Sequence, residues 1–327
     1  MRRRTFLQSA AVGAFAGRCR GADTTTGEPP ALIVDTHQHL WNLSRLKLPW
    51  LDSAPEVLRR TYDPADYATA TRGLNVRTVY MEVDVRPEDF AAEADYVIGL
   101  AEHADPMTAA VIGCRPESEQ FDAYLERYRT AAAVKGMRRV LHGPTTPAGH
   151  CLSERFVRSM RQLGRHGLSF DLCMRPAELG DAARLVELCP DTKFVIDHCG
   201  NADPAAFRKV SGEGKPAEHS ADAWRASIER LAKLSNTVMK ISGVIARLAK
   251  GGDAGDLAPI VNHCLDSFGP DRVVFGGDWP VCLLGGELRT WISMLAEIVA
   301  GRSAEDRKKL WSANALRLYR LKNVADA

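Results

Sequence analysis

Eight short runs rich in Val and Ile alternate with eight amphipathic stretches along this chain, and no other feature restricts its fold as strongly. The runs at 32–37, 78–85, 108–114, 136–141, 168–174, 193–199, 237–244 and 272–278 are bounded by Gly, Pro or Asp and read as strands. Helical spacing fills the intervals at 64–72, 87–103, 117–132, 153–165, 177–188, 221–234, 256–268 and 287–299, and again at 303–321. Asp63 followed by Pro64 is a helix start, because an Asp side chain caps free N–H groups and Pro tolerates the first helical position. Ser303 with Asp306 three residues on is another. Strand starts lie roughly 25 to 46 residues apart, which is room for a crossover helix between parallel strands. Eight such units predict a single α/β domain, a (β/α)8 TIM-like barrel with room for distortion, over residues 31–327. The competing architecture, an open doubly wound sheet, ordinarily carries a Gly-rich first turn. Here the first strand runs into Asp35-Thr36-His37-Gln38-His39 instead.

Residues 1–30 read as something other than fold. Arg2, Arg3 and Arg4 precede a short, weakly apolar stretch from Phe6 to Gly17, the layout of an export signal and too short for a stable membrane span. Arg3-Arg4-Thr5-Phe6-Leu7 resembles a twin-arginine signal, so the expected location is periplasmic or extracellular. Cys19 follows Arg18 rather than a small residue, which gives no support to a lipid anchor. Formal net charge is +2, and without the first thirty residues it falls to −1. A nearly neutral body offers no electrostatic footprint for nucleic acid or an anionic membrane. The eight cysteines are scattered with no CxxC pair, so they read as small core residues rather than a disulfide framework or zinc ribbon.

Chemistry in such a barrel gathers at the C-terminal ends of its strands. The first strand ends in His37-Gln38-His39, and residues two apart on a strand face the same way. Asp35 shares that parity and is expected one layer deeper. The sixth strand ends in Asp197-His198-Cys199-Gly200 and the eighth in Gly276-Gly277-Asp278-Trp279-Pro280. Closure of the barrel makes the first and eighth strands neighbours. His37, His39, His198 and Asp278 are therefore the candidate ligands of one divalent metal, with zinc the expected ion. Asp278 is the candidate general base, with His198 and Arg138 as further catalytic candidates. Arg138 on the fourth strand either hydrogen-bonds a substrate or forms a salt bridge in the lumen, with Asp171 as the expected partner. Glu82 either enters the lumen or caps a loop. Trp41 and Trp279 either stack on a sugar ring or pack in the core, and Lys240 and Ser242 at the end of the seventh strand are further candidates for substrate contact.

These motifs resemble the amidohydrolase superfamily, amidohydrolase-2 type. Asp35-x-His37-x-His39 and Phe275-Gly276-Gly277-Asp278-Trp279-Pro280 carry the resemblance. Lys135-Gly136-Met137-Arg138, Phe170-Asp171-Leu172, Val195 to Gly200, Lys240-Ile241-Ser242-Gly243 and Asn314-Ala315 with Tyr319 narrow it to the group of L-fuconolactone, L-rhamnonolactone and pyrone-dicarboxylate lactonases. The resemblance implies a lactone-opening hydrolase with a small-molecule substrate, assisted by one metal ion or by His and Arg side chains alone. A zinc-dependent decarboxylase and a non-catalytic binding barrel are the alternatives. Two departures stand out: Gly277 where the group often has Ser, and an insertion at 201–220. Lys135 opens the fourth strand, at the wrong end to bridge two metals, so a binuclear centre is not expected.

Overall fold

The computed structural model describes residues 30–103, 106–208, 217 and 219–321. Eight parallel strands stand side by side in chain order: β1 (Ile33–Gln38), β2 (Val76–Met81), β3 (Met107–Gly113), β4 (Val134–Val140), β5 (Ser169–Cys173), β6 (Lys193–Ile196), β7 (Thr237–Ile241) and β8 (Val273–Phe275). The connecting helices are α1 (Pro64–Ala70), α2 (Phe90–His103), α3 (Phe121–Tyr128), α4 (Glu154–Arg165), α5 (Leu179–Leu188), α6 (Ala221–Ala232), α7 (Ala254–Phe268) and α8 (Leu288–Ile298). The strand order never reverses, as it must in a doubly wound sheet, and the fold is the expected (β/α)8 barrel.

Local chemistry sets the elements where the spacing predicts them. The Asp63 carboxylate accepts from the backbone N–H groups of Ala65 (2.9 Å) and Asp66 (3.0 Å), while Asp66 accepts from the Asp63 N–H (3.2 Å). Such a cap contributes about 1 kcal/mol and fixes where α1 begins. Ser303 likewise accepts from the Asp306 N–H. The stretch it opens is not one continuous helix: Ala304–Lys308 and Asn314–Leu318 are joined by a π-helical turn, Lys309–Ala313.

Two apolar layers follow. The larger lies between sheet and helices; the smaller fills the barrel with Val34, Val79, Val111, Val195, Val238 and Val274, and Tyr319 from the C-terminal helix joins it. All seven described cysteines are free and buried. The seam between β8 and β1 is stitched just beyond the strands. Asp278 N–H donates to His37 O and His39 N–H to Trp279 O, both at 2.8 Å. Asp35 adds a side-chain stitch, accepting from Gly277 N–H at 2.7 Å.

One expectation is corrected here. Between Asp35 and Gln38, β1 spends three steps where β2 spends two, a bulge that breaks the alternation. Asp35 therefore does not sit in the lumen below the imidazoles. It lies against α1, accepting from the Tyr67 hydroxyl at 2.8 Å, while His37 turns inward. The same packing explains Gly277: a Cβ there would lie 2.4 Å from Asp35 Oδ2, so this seam has no space for the serine of the resembling group.

Candidate active site

Three elements deliver the central side chains. The β1 bulge aims His37 into the lumen, and His39 follows at the strand end, where its Nδ1 lies 2.9 Å from the Met81 carbonyl. A carbonyl can only accept, so Nδ1 carries the proton and the Nε2 lone pair faces away from it, toward Asp278. His198 and Asp278 begin the loops after β6 and β8, both at positive φ (55° and 54°), a left-handed turn that swings each side chain over the barrel mouth. The result is one carboxylate among three imidazoles. Asp278 lies 3.3 Å from His39 Nε2, 3.7 Å from His37 Nε2 and 4.0 Å from His198 Nδ1. His37, His198 and Asp278 offer ligand atoms that all lie within 4.8 Å of one another, and His39 approaches this group through Asp278.

Beneath them runs a buried ionic network. Arg138 donates through Nε to Glu82 Oε1 (2.7 Å), through Nη2 to the Glu82 carbonyl (2.7 Å), and through Nη1 to Asp197 Oδ2 and His37 Nε2 (3.2 Å each). Lys240 Nζ lies 2.6 Å from Asp171, 3.0 Å from Asp197 and 3.3 Å from His37 Nδ1. Burial disfavours charge on His37 and holds its pKa well below the usual imidazole range, with Asp197 opposing and Lys240 and His198 adding to the effect. Burial also lowers His198, against the pull of Asp278 and Asp197. Both rings are therefore neutral near pH 7 with one lone pair each. That of His37 accepts from Arg138, so an ion bound through His37 Nε2 would take the place of that hydrogen bond. For Asp197 burial opposes ionisation, but Lys240 and His37 outweigh it and keep the carboxyl well below its ordinary range.

The geometry reassigns several residues. Arg138 has its donors committed to Glu82, Asp197 and His37, and its ion-pair partners are Glu82 and Asp197, not Asp171. Glu82 is fully buried, accepting from Arg138 and from the Asp84 N–H, so it braces Arg138 and touches no open space. Lys240, 0% exposed, is locked between Asp171 and Asp197 and is likewise out of a substrate's reach. Trp41 donates its indole N–H to Arg60 O and packs edge-on against Trp50 and Tyr62. Trp279 packs against Tyr62 and Tyr67. Both tryptophans are core residues with no face left for a sugar.

A family model described as amidohydrolase matches residues 34–321, which takes in every strand but the first residue of β1 and all of the imidazole–carboxylate cluster. This chain belongs to the amidohydrolase family. Among its relatives is an L-fucono-1,5-lactonase of Burkholderia multivorans, 28% identical, with 91% of this chain and 99% of that one covered. An L-rhamnono-gamma-lactonase of Scheffersomyces stipitis is 23% identical, with 88% and 98% covered. Among solved structures, a zinc-bound amidohydrolase of Burkholderia multivorans superposes with a TM-score of 0.77 at 24% identity, covering 89% of this chain and 100% of that one.

The donor set in this amidohydrolase fits a divalent cation. Bonds of 2.0–2.1 Å in a tetrahedral shell put neighbouring donors about 3.3 Å apart. The three imidazole approaches to Asp278 fall at or above that spacing and are too long for charge-assisted hydrogen bonds. The backbone carbonyl on His39 Nδ1 is the outer partner that orients a metal-binding histidine.

Two positioning residues emerge from the structure: Ser242, expected from the sequence as a substrate contact beside Lys240, and Gly243, left without a role by the sequence alone. Ser242 Oγ lies 3.0 Å from His198 Nδ1. Gly243 (φ 71°) lets the His198 ring lie flat on its backbone, where a Cβ would come within 2.4 Å of Nδ1. The Ser-Gly pair closing the seventh strand was the available signal.

Proposed function

We propose that this amidohydrolase opens a sugar-derived lactone by adding water across its ester bond. The observation that carries this reading is the Asp278 carboxylate among three imidazoles at the barrel mouth, 3.3–4.0 Å from each. Asp278 takes a proton from the attacking water as the water oxygen bonds to the lactone carbonyl carbon. The ring C–O bond then breaks, and the proton held on Asp278 passes to the departing ring oxygen, leaving an open hydroxy acid. His37, kept neutral by its burial, and His39, kept in one tautomer by Met81, hold the carbonyl side of the pocket. Arg138 and Lys240 act from beneath by fixing His37 and Asp197. A single divalent ion on His37, His198 and Asp278, with His39 beside it, would polarise the carbonyl and acidify the water. The zinc in the Burkholderia multivorans structure supports zinc as that ion.

The two lactonases matched over nearly their whole lengths support a sugar lactone over other esters. We propose export as well, from Arg3-Arg4-Thr5-Phe6-Leu7; residues 1–29 lie outside the described residues, and a reporter fused to residues 1–30 tests it by its location. Among the described residues no helix is long and apolar enough to cross a membrane.

The test is a pH-indicator screen over aldonolactones of both ring sizes, with elemental analysis of the purified protein. Proton release with at least one lactone, lost on chelation and restored by zinc, is expected. Carbon dioxide release from an aromatic acid with no lactone turnover would replace this reading with a decarboxylase. Saturable lactone binding without turnover would replace it with a binding barrel.

A further inference from the structure

At the end of the barrel opposite the imidazoles, the first residues of the strands and the C-terminal helix line a cavity of about 650 Å³ that is open to solvent. Five cationic side chains line it: Lys135 of β4, Lys193 of β6, Arg272 ahead of β8, and Arg317 and Arg320 of the C-terminal helix and its end. Its one acidic lining residue, Asp271, is already paired, 2.8 Å from Lys309 Nζ.

The arginines are anchored but not neutralised. Arg272 donates to the carbonyls of Ala232 and Leu234, Arg317 to that of Asp271, and Arg320 to that of Gly167. A carbonyl satisfies an N–H but carries no net charge. Neither the Lys135 nor the Lys193 ammonium makes a hydrogen bond or ion pair among the described residues. Burial lowers the pKa of both, and nearby cations add to it: Arg320 beside Lys135, and Arg272 and Arg317 beside Lys193. Unrelieved positive charge is gathered here, at a face the proposed reaction does not use.

Arg320 adds a second, independent sign. It follows the last helical turn at φ 50°, and Leu321 N–H closes the turn onto Leu316 O at 3.0 Å. That helix-end position favours glycine, because a Cβ is strained in the left-handed region. An arginine there accepts the strain and gains a guanidinium at the cavity wall.

We infer that this cavity binds a small polyanion, a phosphate-bearing or polycarboxylate compound of two or more negative charges, with Lys135 and Lys193 as its direct donors. The volume lies within the range of small-molecule sites and exceeds what a lone phosphate fills, so the charged group is expected to carry an organic body.

Isothermal titration of the full chain with inorganic phosphate and, separately, with succinate tests this, with chloride at matched ionic strength as control. Saturable binding of at least one probe is expected, weakening as salt rises, and the preferred probe tells phosphate from carboxylate chemistry. Lys135→Met with Lys193→Met should weaken binding at least tenfold. Arg320→Gly, which keeps the left-handed backbone, should weaken it several-fold. Lactone turnover should be unchanged in both variants. No saturable binding of either probe to the unaltered protein, or equal binding by the double lysine variant, overturns the proposal.

Discussion

Replacing Glu93 by Gln removes one titrating proton from the wall of the barrel. Glu93 is fully buried on α2, where its Oε1 accepts from the Tyr80 hydroxyl and the Val83 N–H, both at 2.8 Å. Its Oε2 is buried with no hydrogen-bond partner among the described residues, on the side of Gly113 that the Glu82 carboxylate also faces. Burial, and then the Glu82 charge, push Glu93 from 4.5 up to about 8. The folded protein therefore carries a proton here between about pH 4.5 and 8 that the unfolded chain has released. Stability from this group falls as pH rises through that window, by about 1.4 kcal/mol per unit. Gln offers an N–H where the protonated acid offers an O–H, and it does not titrate. Across pH 5.5 to 7.5 the stability difference between Glu93→Gln and the unaltered protein should shift by roughly 2–3 kcal/mol in favour of Gln. Equilibrium urea unfolding at four pH values across that range reads the difference directly. Two stability curves running parallel with pH would refute a raised pKa at Glu93.

Lys240→Met leaves Asp171 and Asp197 buried without their nearest cation, and urea unfolding should show a loss of about 3–5 kcal/mol. Adding Asp171→Asn to it should return part of that loss, a coupling that a double-mutant cycle measures. Gly243→Ala forces a methyl into the His198 ring; turnover should fall at least tenfold while the far-UV circular dichroism spectrum stays unchanged, and normal turnover would remove Gly243 as a positioning residue. Gly277→Ser puts a side chain against the Asp35 carboxylate and should lower the unfolding temperature by several degrees, read by calorimetry.

The barrel was legible because its signal is repeated: eight apolar runs with helical intervals leave few topologies, and chain order then fixes neighbours. His37, His39 and Asp278 were legible as one cluster for the same reason, since closure joins β1 to β8 whatever the loops do. What failed was what alternation cannot carry. The bulge between Asp35 and Gln38 leaves no mark in composition, yet it sends Asp35 and His37 to opposite faces where plain alternation puts both in the lumen. Arg138 and Asp171 are register partners on β4 and β5, so their pairing was the natural expectation. The long guanidinium instead reaches Glu82 and Asp197, and Asp171 is taken by Lys240, because reach and height in the lumen decide which charges meet. Trp41 and Trp279 sit beside the site motifs in sequence but turn into the aromatic packing behind them. Glu93 was visible in principle. It falls with Phe90, Ala94 and Val97 on the buried stripe of α2, and a carboxylate on an apolar helix face marks a buried partner.

Asp278→Asn tests the central claim most directly. The amide keeps the shape of the carboxylate between His37, His39 and His198 but cannot take a proton from water. With the best lactone of the panel, stopped-flow turnover should fall by about 10²–10⁴-fold while the lactone still binds, read by calorimetric titration. Turnover within a few-fold of the unaltered protein would contradict the account, because the proton would then leave the water by a route that does not pass through Asp278.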